Sequence, residues 1–303
     1  MTERPAPDQP AARVTWRHHL EAAPLRLLWS ASRVLPRRLV ARSAGALFAA
    51  LGPRTRKQQH VKRNLAFVQP DANDADIAQL ARAVWRNFGM VLAEFPHLDA
   101  IATEDLTLEI DTPTQALLDQ KLPFVLLTAH LGNWEVIGGW LARSGVPITA
   151  IYDRNANPLL ERAIQRFRRE DIIEFTDKAG SLRALMAAGR AGRSIALLQD
   201  TRVDSGVPLP LFGVATPTTI SPAKIARRFG YPLVPAELRR LPGQRFHLRL
   251  HTPIPVAPDG DERTAAEAAT LTYHRLLEDW IRARPGEWLC TKRRWPKTAQ
   301  ARP

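Results

Sequence analysis

Apolar residues change their period along this chain, and the change divides it. Between residues 20 and 51 Leu, Ala and Trp recur at helical spacing, interrupted by Arg26, Arg33, Arg37, Arg38 and Arg42. Val40, Ala44, Leu47 and Leu51 fall on one helical face, and Pro36 divides the segment into a pair of amphipathic helices. From 74 to 95 the stripe Ala78, Ala81, Val84, Trp85, Phe88, Val91 and Leu92 predicts a well-packed helix that Pro96 ends. Beyond residue 105 short apolar runs alternate with helical stretches. Strands are expected at 106–110, 124–128, 148–152, 172–175, 195–198, 233–238 and 246–250, with helices at 159–169, 181–190, 222–229 and 264–283. That rhythm predicts an α/β fold with a mostly parallel central sheet flanked by helices, and the last two strands, joined across Pro242-Gly243, form an antiparallel hairpin at one edge.

The stretch 124–140, FVLLTAHLGNWEVIGGW, carries the candidate chemistry. A run suited to a strand buried on both faces ends in His130; Gly132 and Asn133 break the pattern; Trp134, Ile137, Trp140 and Leu141 then resume at helical spacing. Asn133 reads as the N-cap, and Glu135 falls in the first turn, where the helix dipole favours a carboxylate. A carboxylate on one imidazole nitrogen raises the basicity of the other, which suits a general base, and Glu135 is close enough in sequence to fold back on His130. The plainer alternative is a buried His satisfied by local backbone and a Glu on a solvated helix face.

Charge adds a partner class. Lys and Arg number 43 against 30 Asp and Glu, a net charge of +13, and only seven of the cations are Lys. Arg is the better phosphate ligand because its planar fork of donors matches the anion. Nucleic acid, an anionic membrane and an acidic carrier protein are all compatible with the balance alone. The single cysteine, Cys290, rules out an internal disulfide framework and makes a structural zinc cluster improbable. Residues 1–12 read as a disordered lead-in with no secretory signal. The longest charge-free run of the N-terminal segment, 43–53, is too short for the roughly 20 residues a spanning helix needs, so an interfacial helix with Trp16 and Trp29 among its cations is the membrane reading, and soluble helices packed on the main domain the other.

Polar groups collect at other strand exits. Arg154 follows the strand at 148–152 and is expected in the same crevice as His130, because the carboxyl ends of parallel strands share one side. Asp200 and Arg202 follow the apolar run 195–198; Arg202 reads as a phosphate ligand and Asp200 as the group that orients it, against an alternative of surface ion pairs. The stretch 205–223 has no charge and four prolines, which suits either an acyl-chain lining or a buried loop with strand pieces. Near the C-terminus Arg293, Arg294 and Trp295 mix cations with an aromatic and suit phosphate, a lipid surface or a carrier protein. The nucleophile elbow, zinc-protease helix, P-loop and dinucleotide turn are all absent from the sequence.

Five blocks occur in order: KRNLAF, NFGMVLAEF, TAHLGNWEVIGGW, QDTR followed by PLFGVATPTT, and EWLCTKRRW. Together they resemble the bacterial lipid A late acyltransferase family from about residue 20 to 297. The resemblance implies a glycerolipid-acyltransferase-like fold that moves a fatty acyl group from an acyl carrier protein thioester to a hydroxyl of an anionic, glucosamine-based lipid A precursor at the cytoplasmic face of the inner membrane. It makes His130 the general base oriented by Glu135 and puts Arg154 and Arg202 at phosphate or acceptor contacts; Asn133 and Asp200, from the reading of the residues, complete the expected substrate-binding set, and no metal, organic cofactor or nucleic acid is called for. Residues 13–100 then form a helical, membrane-associating region, attached peripherally or N-terminally anchored, and 101–303 the catalytic domain. The alternatives are another membrane lipid or glycolipid acceptor with a coenzyme A donor, and a basic binding protein without catalysis, against which the dispersion of the Arg residues argues.

Overall fold

The computed structural model describes residues 14–168, 172–177 and 181–300. The lead-in at 1–12 and the last position of the helix expected at 159–169 lie outside the described residues. The chain opens with helices α1 (Trp16–Val34), α2 (Arg37–Leu51), α3 (Gln58–Val68), α4 (Asp74–Glu94) and α5 (Leu98–Glu104). Then come β1 (Leu106–Ile110), α6 (Thr112–Asp119), β2 (Val125–Thr128), α7 (Glu135–Arg143), β3 (Ile148–Tyr152), α8 (Pro158–Phe167) and β4 (Glu174–Asp177). The remainder is α9 (Ser181–Arg190), β5 (Ser194–Leu198), β6 (Val207–Leu211), β7 (Val214–Thr218), α10 (Ser221–Phe229), β8 (Leu233–Leu241), β9 (Arg245–Leu250) and α11 (Glu262–Ala283).

The main sheet has the order β1-β9-β8-β2-β5-β3-β4. The five strands from β8 to β4 are parallel; β9 turns back antiparallel to β8, and β1 runs parallel to β9. The expected hairpin exists, but β1 covers it, so β9 is not the edge. On β2, Val125 and Leu127 face a core shared with α3, α4, α10 and α11, whereas Leu126 faces a second core with α5, α7 and Trp29 of α1. All four β2 residues are buried, which is why the run carries no polar alternation.

Pro36 does separate α1 from α2, since it lacks the N–H a continuous helix would need. Gly89 lets α2 and α4 meet closely: a Cβ there would lie 2.5 Å from the Ala44 carbonyl oxygen. The stripe predicted on α2 divides between two environments, with Val40 and Ala44 against α4 and Leu47 and Leu51 exposed. Trp29 is buried too and donates to the Leu92 carbonyl at 2.8 Å, so it fastens α1 to α4 and does not face lipid. The uncharged stretch folds as the antiparallel β6–β7 ribbon, which turns at Phe212 and Gly213, both at positive φ. Pro208, Pro210 and Pro217 are tolerated because a two-stranded ribbon has free edges.

Candidate active site

His130 stands two residues past β2, and Asp200 two residues past β5. The register of these neighbouring strands pairs Thr128 with Leu198, so the two side chains leave the sheet side by side. The imidazole Nδ1 lies 2.8 Å from Asp200 Oδ1, and the backbone N–H of His130 donates to Oδ2 at 3.2 Å. An ionised carboxylate only accepts, so the proton of the pair sits on Nδ1. Trp288 donates its indole N–H to Oδ2 at 2.9 Å, which leaves Asp200 little freedom to rotate. Burial alone would raise the Asp200 carboxyl, but the charge and hydrogen bonds of His130, with the Trp288 indole, outweigh it and hold the group below the ordinary carboxylate range. The His130 side chain is 25% exposed, and its Nε2 has no hydrogen-bond partner among the described residues. One imidazole nitrogen is thus held and the other is open.

Glu135 is elsewhere. Its carboxylate takes two hydrogen bonds from Arg168, at 2.8 and 2.6 Å, and one from the Trp134 indole at 3.0 Å. It therefore does not orient His130. The first turn of α7 directs it toward α8, where Arg168 lies between the rings of Phe95 and Phe175 and needs a counter-ion. The desolvation that would lower the Arg168 guanidinium is overcome by Glu135, and the cation is held above its usual range. Trp134 packs edge-on against His130, 4.9 Å between ring centres, so the ion pair supports the imidazole through one aromatic ring.

The other expected residues divide. Asn133 is fully buried; its amide donates to Glu94 at 2.8 Å, and Trp134, not Asn133, occupies the N-cap of α7. Its side chain thus faces the protein and not a substrate. Glu94 also accepts Arg240 at 2.6 and 2.9 Å, and Asn87 of α4 donates to the Gly132 carbonyl at 2.8 Å, so a buried polar network holds the turn after His130 from beneath. Arg154 lies on the expected side of the sheet but is half-exposed and pairs with Asp177 at 3.5 Å. Arg202 pairs with Asp204. Neither is in contact with His130, and Asp200 meets the imidazole and not a phosphate-holding Arg.

Sequence reasoning missed Arg168 and the network under the turn, and it had Trp288 only as the start of the C-terminal candidate block at 288–297, with no link to Asp200. Arg168 closes a helical pattern inside a charged run, QRFRRED, and nothing in that run singles it out as the partner of Glu135. Arg294 and Trp295, expected on a binding surface, are internal: the guanidinium bonds Thr216 and Thr218 at 2.8 and 2.9 Å, and the indole stacks on Phe67 at 4.4 Å. Burial lowers the Arg294 guanidinium to about 10. Asn64 of α3 receives the Arg294 N–H and donates to the Cys290 and Lys292 carbonyls, so the C-terminal block is a strap whose Trp288 reaches Asp200. Cys290 is buried and its thiol is pushed up by desolvation, which disqualifies it as a nucleophile. Among the described residues no three His, Cys, Asp or Glu side chains are grouped to hold a metal ion.

Residues 16–297 match the model of a family described as bacterial lipid A biosynthesis acyltransferase. The chain is also 27% identical over 277 residues to a phosphatidylinositol mannoside acyltransferase of Mycolicibacterium smegmatis, covering 84% of this chain and 89% of that one. A phosphatidylinositol mannoside acyltransferase of Mycobacterium tuberculosis is 25% identical over 281 residues, covering 88% and 86%. Among solved structures, the 1-acyl-sn-glycerophosphate acyltransferase PlsC of Thermotoga maritima aligns with a TM-score of 0.39 and 14% identity over 80% of this chain and 95% of that one.

Proposed function

Since the chain belongs to the bacterial lipid A biosynthesis acyltransferase family, we propose that it transfers a fatty acyl group from an acyl carrier protein thioester to a sugar hydroxyl of an anionic glycolipid at a membrane surface. The observation that carries the reading is the His130–Asp200 pair with Nε2 open. A lipid hydroxyl approaches Nε2, which removes its proton as the oxygen attacks the thioester carbonyl, a contribution of roughly 10² to 10⁴ in rate. Asp200 stabilises the imidazolium that forms. The backbone N–H groups of Asn133, Trp134 and Glu135 have no acceptor among the described residues and lead into α7, so they are the donors we assign to the developing oxyanion. Collapse of the tetrahedral intermediate expels the thiolate, which takes the proton back from Nε2. The products are an ester and a free thiol, and the enzyme ends as it began.

The family description favours a lipid A precursor as acceptor. The names of the mycobacterial relatives favour a second reading, a mannose-bearing phospholipid, and both acceptors offer a sugar hydroxyl beside a phosphate. Mass spectrometry of lipids from cells lacking the protein separates them. Lipid A short of one acyl chain supports the first, an under-acylated glycophospholipid the second, and an unchanged lipid profile overturns the proposal.

Attachment is peripheral. Among the described residues, nine of the thirteen exposed large apolar side chains lie between Val14 and Leu51. Trp16, Leu20, Leu27 and Val34 project from one face of α1, and Arg17, Arg26, Arg33, Arg38 and Arg42 are exposed around them with Glu21 the one acidic residue of α1 and α2. That composition suits the inner, anionic leaflet of the cytoplasmic membrane. No helix among the described residues is long and apolar enough to cross it.

A further inference from the structure

A cavity of about 530 Å³ opens between α9, the loop 203–207 and the N-terminal turns of α10 and α11. It draws on both ends of the uncharged stretch. Of the apolar residues of that stretch, Leu209, Leu211 and Ala223 are spent on the core, whereas Val207 and Ile220 line the cavity. The cavity wall is mixed: Leu182, Met186, Val203, Val207, Ile220 and Ile225 stand beside the hydroxyls of Ser205, Thr219 and Ser221. Thr219 donates to the Ser221 hydroxyl at 3.0 Å and Ser205 is exposed, so the three hydroxyls keep donor and acceptor capacity for a polar ligand. Cations stand at the mouth. Lys224 and Arg228 are one turn apart on α10 and so share a face, and Arg263 joins them from α11. Lys224 is paired with Glu262 at 3.0 Å and Arg263 with Glu267 at 2.6 Å, whereas Arg228 is exposed with no ion pair among the described residues.

The inner end leads to the dyad. Thr219, in the wall, accepts a hydrogen bond from Gln199 at 2.6 Å, and Gln199 precedes Asp200. Val203 follows Asp200 by three residues, a span of chain that cannot exceed about 11 Å.

We propose that this cavity holds the phosphopantetheine arm of the acyl donor, a deepening that rests on the acyl-transfer reading above. The arm's two amides and its hydroxyl match the Ser and Thr hydroxyls, its gem-dimethyl carbon meets Val207 and Ile225, and its phosphate comes to Arg228 and Lys224. The thioester end then points toward His130, and the acyl chain continues past the dyad, outside this cavity. The phosphate end faces solvent across α10 and α11, where a carrier protein or the nucleotide of coenzyme A would follow.

The test is calorimetric binding of two unreactive thioethers, S-octyl-phosphopantetheine and S-octyl-pantetheine, to the full-length protein. The phosphate is expected to tighten binding at least tenfold in the wild type. Arg228→Glu should remove that preference and Ser205→Trp should weaken both ligands; both sites are exposed, and thermal unfolding checks each variant's fold. Equal affinity for the two ligands in the wild type, or a phosphate preference that survives in Arg228→Glu, would overturn the subsite. S-octyl thioethers of carrier protein and of coenzyme A then show which donor adds affinity over the bare arm. Wild-type protein that binds none of these removes the thioester-donor reading as well, whereas acyl transfer whose donor KM is untouched by Arg228→Glu removes the subsite alone.

Discussion

His130 Nδ1 and Asp200 Oδ1 are 2.8 Å apart although 70 residues separate them in sequence, and they meet because β2 and β5 are neighbours in register. Asp200→Asn keeps the size of the side chain and removes the charge and the obligate acceptor, so the imidazole is no longer held in the Nδ1–H tautomer. Acyl transfer should fall by about 10² to 10⁴ with donor binding unchanged. Steady-state rates and thioether binding measured side by side check this.

Glu135 should behave differently. Glu135→Ala leaves the Arg168 guanidinium without its counter-ion, at a cost of about 3–5 kcal/mol by analogy with other broken buried pairs. Urea unfolding is the measurement. Arg168→Met added to Glu135→Ala should recover part of that stability, because the stranded charge is gone.

The exposed face of α1 gives a prediction that does not touch the core. Leu27→Asp with Val34→Asp should abolish sedimentation with anionic vesicles, and binding of the wild type should fall as salt rises. Deleting the whole segment would be a poorer test, since Trp29, Val40 and Ala44 are packed into the fold.

His274 supplies a pH dependence. Burial lowers its imidazole to about 4, with the Nδ1–H donated to the Pro210 carbonyl at 2.7 Å, so the folded state holds it neutral. The unfolded chain binds the proton first as pH falls below 6.5. Stability attributable to this group is therefore complete above pH 6.5 and is lost down to about pH 4, by roughly 3 kcal/mol. Thermal unfolding between pH 7 and 4.5 should show the loss, and His274→Asn, which keeps a donor for Pro210, should flatten it.

Much of the scaffold and one half of the dyad were readable before any coordinates. The apolar run ending in His130 marks a doubly buried strand and its polar exit, and β2 confirms both. Asp200 was visible as a polar group at another strand exit, but which strands adjoin is decided by the sheet order, and nothing local to residue 200 records it. Glu135 was the natural choice because proximity in sequence stood in for proximity in space, and α7 turns it away. The β6–β7 ribbon was legible only as strand pieces in a buried loop, because prolines occupy its strands and Phe212, not Gly or Asn, opens its turn. Arg294 and Trp295 read as a surface because charge suggests solvent, and three hydroxyl and carbonyl acceptors made burial possible.

The most direct measurement is the rate of acyl transfer by His130→Ala, with donor and vesicle binding recorded on the same preparation. The predicted result is a loss of at least about 10²-fold in rate with both binding steps intact. Turnover within a few-fold of the wild type would contradict a mechanism in which the open Nε2 takes the hydroxyl proton.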